Sequence, residues 1–131
     1  MRPRYGKYNA KPVCYDGHRF PSKGEGERYL YLREMAREGR ISNLRLQVKY
    51  PFAEPIYETR IGARGKPVRG RLLLSGIAYV ADFVYTLRNG REVVEDYKGM
   101  ETPEFKIKER LLYDVYGIRL NKPKYPCEPV E

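Results

Sequence analysis

The sequence predicts a single α/β domain with a mixed central sheet flanked by helices. Three observations carry this. Apolar residues alternate with polar ones over Leu44 to Phe52, a period that fits a half-buried strand. Leu72 to Leu87 and Arg91 to Lys98 are apolar enough on both faces to be central strands. Two other stretches carry helix punctuation at both ends, and the order of strands and helices fits a layered α/β fold.

The elements follow in order. Residues 1–12 hold Arg2, Arg4, Lys7 and Lys11 with no acid, and read as a flexible basic arm. Tyr5 and Tyr8 between those charges could stack on bases. Val13 to Phe20 reads as a hairpin, because Asp16-Gly17 supplies the positive φ of a tight turn. A helix starts at Ser22 and runs to about Glu38, with Gly39 as its left-handed stop. Glu25, Tyr29, Leu32 and Ala36 fall on one face of it. Glu25 therefore has two readings: a capping-box acid, or a carboxylate at the end of the packing stripe that needs a partner.

Pro51 and Pro55 limit the next strand to an edge or end it, and Ile56-Tyr57-Glu58 would extend it. Thr59 to Ala81 contains no acid, and its centre, about residues 60–70, reads as a mobile basic loop. Arg60, Arg64, Lys66 and Arg69 there are candidate phosphate contacts. Thr102-Pro103-Glu104 opens a second helix that ends at Gly117. Phe105, Lys108, Leu112 and Val115 share a face of it, and Lys106 and Lys108 are further candidate DNA contacts. Ile118 to Leu120 reads as a short last strand and residues 123–131 as a tail, which bounds the main domain at 13–122.

Lys and Arg number 26 against 17 acids, a net charge of +9, which favours phosphate polymers as partners. No apolar run could span a bilayer and no leader pattern opens the chain, so no membrane is expected. Cys14 and Cys127 make neither a metal spacing nor a disulfide framework, which suits a reducing cytoplasm. With His18 as the lone histidine, any metal site must be rich in oxygen, fitting Mg²⁺ or Mn²⁺.

Asp82 is an acid inside an apolar strand, and Asp96 and Lys98 share one face of the next. A two-residue turn between the strands would put Asp82 and Asp96 on opposite faces. A three-residue turn, Arg88-Asn89-Gly90 with Gly90 left-handed, sets them against each other, and that register is the expectation. Opposed carboxylates repel unless they share a cation, with the Tyr97 carbonyl as a further oxygen ligand. An ion pair of Lys98 with either acid is the structural alternative.

These residues resemble the PD-(D/E)XK nuclease superfamily. More narrowly, Phe20 to Tyr29, Leu46 to Tyr50, Tyr79 to Phe83 and Val94 to Gly99 look like a group of small phage and prophage endonucleases related to Holliday junction resolvases. The resemblance implies a restriction-endonuclease-like core and Mg²⁺-dependent hydrolysis of DNA phosphodiesters, with Mn²⁺ as a substitute. By position, Glu25, Asp82 and Asp96 are its acids and metal ligands, Lys98 its catalytic lysine, and Gln47 a supporting polar group. It further implies branched DNA as substrate and a homodimer in the host cytoplasm. A nicking or general endonuclease, and a non-catalytic DNA-binding protein, are the other readings.

Overall fold

The structure is a computed structural model and describes residues 11–97 and 100–130. Arg2, Arg4, Lys7 and Lys98 lie outside the described residues. The fold is a small α/β domain of antiparallel strands with two helices.

β1 (Val13–Tyr15) and β2 (His18–Phe20) form the expected hairpin, with Asp16 and Gly17 both at positive φ. α1 (Lys23–Arg37) begins on Ser22, whose hydroxyl accepts from the Glu25 N–H at 3.2 Å. It stops before Gly39, at φ 74°.

β3 (Ile41–Ala53), β6 (Ile77–Leu87) and β7 (Glu92–Glu95) make the central sheet in the order β3-β6-β7, all antiparallel. β3 is longer than the period suggested. Pro51 is tolerated because β3 is an edge strand, where a missing N–H need break no ladder. The apolar run from Leu72 is divided at Ser75-Gly76, so only Ile77–Leu87 is central. The last expected strand reduces to one parallel bridge, Glu95 to Asn121, that covers the open side of β7. The Asp96 N–H donates to the Asn121 carbonyl at 3.0 Å, and the Asn121 N–H to that of Val94 at 2.9 Å.

The stretch read as a basic loop is mostly a two-stranded ribbon. β4 (Ile56–Ile61) pairs with β5 (Pro67–Leu74), and residues 62–66 make the turn. β4 thus starts a ribbon of its own instead of extending β3.

α2 (Pro103–Tyr116) has the cap and stop that its sequence announces: Thr102 accepts from the Phe105 N–H, and Gly117 is left-handed. Phe105 and Leu112 are its buried residues. Val115, expected on the same face, is exposed, and its neighbour Tyr116 meets β3 instead, with its ring against Tyr50 and Phe52.

Two apolar cores sandwich the sheet. One joins Phe20, Tyr29, Leu32 and Met35 to Phe83, Tyr85 and Val93, and the other joins Phe105 and Leu112 to Tyr79, Ala81, Val84 and Val94. A fully covered side chain such as Leu32 or Phe83 contributes about 1.5–3 kcal/mol. Along β3, Leu44 and Leu46 pack on the first core, whereas Val48, Tyr50 and Phe52 pack on the second. Along β6, the alternate residues Phe83, Tyr85 and Leu87 belong to the first, and Tyr79 and Ala81, of the same parity, to the second. Both strands change sides at one rung. The register sets Gln47 against Asp82 there, and Gln47 has φ 53° in mid-strand. Asp82 therefore lies on the seam between the two cores.

Residues 123–130 are no free tail. Pro123 is fully buried and Val130 packs on the first core. No helix among the described residues is long and apolar enough to cross a membrane.

A candidate acidic site on the β6–β7 hairpin

The hairpin between β6 and β7 sets the geometry. The Leu87 N–H donates to the Arg91 carbonyl at 2.9 Å across the three residues Arg88-Asn89-Gly90, and Gly90 has φ 89°. The pairing runs from Thr86 with Glu92 to Phe83 with Glu95. One further step sets Asp82 against Asp96, as the three-residue turn requires.

The two adjacent acids, Glu95 and Asp96, then diverge, because successive side chains on a strand point to opposite faces. Glu95 faces the first core. Arg28 meets it at two points, and the Tyr85 hydroxyl (2.6 Å) and Asn121 amide (3.2 Å) also donate to Oε1. Both oxygens of this carboxylate are thereby engaged in holding the fold. Asp96 faces the second core, is 1% exposed, and accepts from the Tyr79 hydroxyl. Burial, then that bond to Asp96, pushes the Tyr79 phenol well above its usual range, so it stays a donor.

Asp82 is half-buried beside them, and its Oδ2 accepts from the Tyr97 N–H at 3.1 Å. Burial, hydrogen bonding with Asp96 and the Asp96 and Glu25 charges push its carboxyl up to about 9; the Tyr97 N–H opposes them. At neutral pH, without a cation, Asp82 thus holds a proton. Tyr97 contributes its N–H; its carbonyl remains an expected oxygen ligand.

Glu25 is buried and Glu27 exposed, so the inward acid of α1 is Glu25. Its first turn carries Gly24 and Gly26 for a steric reason. A Cβ on Gly24 would stand 2.7 Å from Tyr97 Cε2, and one on Gly26 would stand 2.5 Å from Val13 Cγ2. The glycines let the hairpin end and β1 close on the helix, which brings Glu25 into the field of Asp82.

The structure thus brings Glu25, Asp82, Asp96 and Tyr97 together. Among the described residues, however, no three His, Cys, Asp or Glu side chains form a group that could hold a metal ion. The opposed pair fits a hard dication on other grounds: its donors are oxygens, and the Asp82 proton is what a cation would displace. Gln47 lies across from Asp82 but is exposed. Arg60, Arg64, Lys66 and Arg69 lie on the ribbon or its turn. Lys106 is exposed, and Lys108 pairs with Glu104 on its own helix at 3.0 Å.

Sequence reasoning did not assign Arg28 or Tyr79. Arg28 had a signal: it is a cation three residues after Glu25, beside the packing stripe. Glu95, an acid next to an apolar strand, was the matching one.

Fold and site together define a small basic α/β protein with an opposed acidic pair at the end of a hairpin. The chain belongs to the DUF1064 family, described as proteins of unknown function, which matches residues 5–123. No curated protein matches it, and no solved structure does.

Proposed function

We propose that this protein is a metal-dependent endodeoxyribonuclease with a restriction-endonuclease-like core. Branched DNA is its favoured substrate, and it acts as a homodimer in the cytoplasm. The observation that carries this reading is the opposition of Asp82 and Asp96, with the Glu25 carboxylate also acting on Asp82. Two ionised carboxylates so placed would repel, which is why Asp82 keeps a proton without a cation; bound Mg²⁺ or Mn²⁺ would let both ionise.

Asp82 and Asp96 would hold the cation, with Glu25 and the Tyr97 carbonyl nearby. When bound, a dication polarises a phosphoryl oxygen and lowers the pKa of water. The chain's own residues prepare the site. Tyr79 fixes the orientation of Asp96, and the Tyr97 N–H fixes that of Asp82. Arg28 and Glu95 anchor the strand end from which Asp96 projects. Lys98 is proposed to orient or deprotonate the attacking water. The net charge of +9 supports a polyanionic substrate.

The test is cleavage of a four-way DNA junction and of linear duplex, with Mg²⁺ and with EDTA. The expected result is Mg²⁺-dependent cutting of the junction that Asp96→Ala abolishes. Equal cutting of both substrates would leave a general or nicking endonuclease. The hydrogen bonds that already hold Asp82 and Asp96 within the fold support a second reading, a non-catalytic DNA-binding protein, which the same assay separates by finding DNA bound but uncut.

A further inference from the structure

The β4–β5 ribbon is paired only with itself among the described strands. A two-stranded hairpin by itself is marginal in water. This one nevertheless has a defined end: the Gly62 N–H donates to Lys66 O at 2.8 Å, the Gly65 N–H to Gly62 O at 3.0 Å, and Gly65 has φ 73°. Its six-residue β4 strand spans roughly 20 Å at ~3.3 Å per residue.

The charge on this arm is one-sided. Over Ile56–Leu74, Arg60, Arg64, Lys66, Arg69 and Arg71 stand against Glu58, or +5 − 1 = +4. Glu58 is itself paired with Arg71 at 3.4 Å. The end of the arm is apolar as well. Ile61 lies opposite Pro67 and is 71% exposed, and Val68, one step back, is also exposed. Gly70 lets the Arg60 stem lie flat on the ribbon, since a Cβ there would meet Arg60 Cδ at 2.6 Å. Cations along two strands with an uncovered aliphatic pair at the end suit duplex DNA: basic side chains meet phosphates, and apolar side chains press into base steps. A second copy of the chain is the poorer fit, because two +4 arms repel.

We infer that the β4–β5 ribbon is a DNA-gripping arm that lies in a groove of duplex DNA and presses Ile61, backed by Pro67, against a base step, unstacking it. The inference rests on DNA being the substrate proposed above, but not on the acidic site being catalytic.

The experiment uses the full chain in EDTA, so that nothing is cut. Binding to a duplex containing 2-aminopurine is followed by anisotropy and by fluorescence. The wild type should bind and raise the 2-aminopurine signal. Ile61→Ser should bind within about threefold but lose most of that rise. Arg64→Ala with Lys66→Ala should weaken binding and flatten its salt slope by about 2, near 0.9 per phosphate contact. Both variants alter only exposed side chains, and unchanged circular dichroism verifies folding. An unstacking signal that survives Ile61→Ser while the wild type binds would overturn the arm and leave the nuclease reading intact. Failure of the wild type to bind any DNA would overturn both. Intact DNA binding by Ile61→Ser, with its mass in solution halved and unstacking unchanged, would make the ribbon a contact between copies and overturn the arm.

Discussion

Arg28 and Glu95 meet side by side, Nε to Oε2 at 2.6 Å and Nη2 to Oε1 at 2.8 Å, with both side chains wholly covered. The pair sits one residue before Asp96, so it joins the helix that carries Glu25 to the strand end that carries the acidic site. Burial alone would lower the Arg28 pKa, but Glu95 more than offsets this and raises it. Arg28→Ala would leave a covered carboxylate facing two fewer N–H donors and should cost about 3–5 kcal/mol. Urea denaturation measures this; a loss below about 1 kcal/mol would show that the pair does not hold the strand end.

The pH dependence of stability should carry the mark of Asp82. Its folded value is about 9 against an ordinary 3.8, so between these the folded state keeps a proton that the unfolded chain releases. Raising the pH across that window therefore destabilises the fold, and below the window this group has no effect. Allowing for screening at a half-buried site, the loss is on the order of 2 kcal/mol. Asp82→Asn should remove it. The comparison is of urea midpoints for the two proteins in EDTA at pH 5 and pH 8.5, and a wild type that loses no more than Asp82→Asn would contradict it.

Tyr79→Phe keeps the ring beside Phe105, 6.2 Å between centroids, and removes only the hydroxyl that Asp96 accepts. Loss of a donor to a buried carboxylate should cost about 1–3 kcal/mol. Thermal unfolding of the variant measures it, with an unchanged midpoint as the adverse outcome.

Gly24→Ala separates packing from propensity. In an open helix the change would stabilise by roughly 0.5–1 kcal/mol. Here the new methyl would stand 2.7 Å from the Tyr97 ring, so the expected sign is reversed, about 1–3 kcal/mol of destabilisation. In a Tyr97→Ala background the penalty should vanish. A double-mutant cycle reads this, and additivity of the two changes would refute the contact.

Local chemistry was legible in the sequence where it decides local structure. Asp16-Gly17, Ser22, Gly39, Thr102-Pro103 and Gly117 each mark a boundary within a residue or two of the observed one. The left-handed Gly90 carried non-local information too, because turn length sets register and register sets Asp82 against Asp96. The ribbon was misread because its basic residues hide a strand period in a stretch that buries almost nothing. The change of sides at Gln47 was illegible, since a polar residue in an alternating strand gives no sign of a positive φ. Neither Asn121 nor the C-terminal stretch advertised its partners, which arise from packing far along the chain.

The partners of Arg28 extend beyond Glu95. Its Nη1 also donates to the carbonyls of Pro126 and Glu128, at 3.0 and 2.6 Å. The family match ends at residue 123. A truncation placed at that boundary would keep the guanidinium and the carboxylate and remove two acceptors, together with Val130 from the first core. It would expose the buried pair to solvent beside the acidic site. A chain trimmed to the family match therefore loses part of what holds the pair, and its failure to cut DNA would report on a lost clamp before it reported on the proposed chemistry.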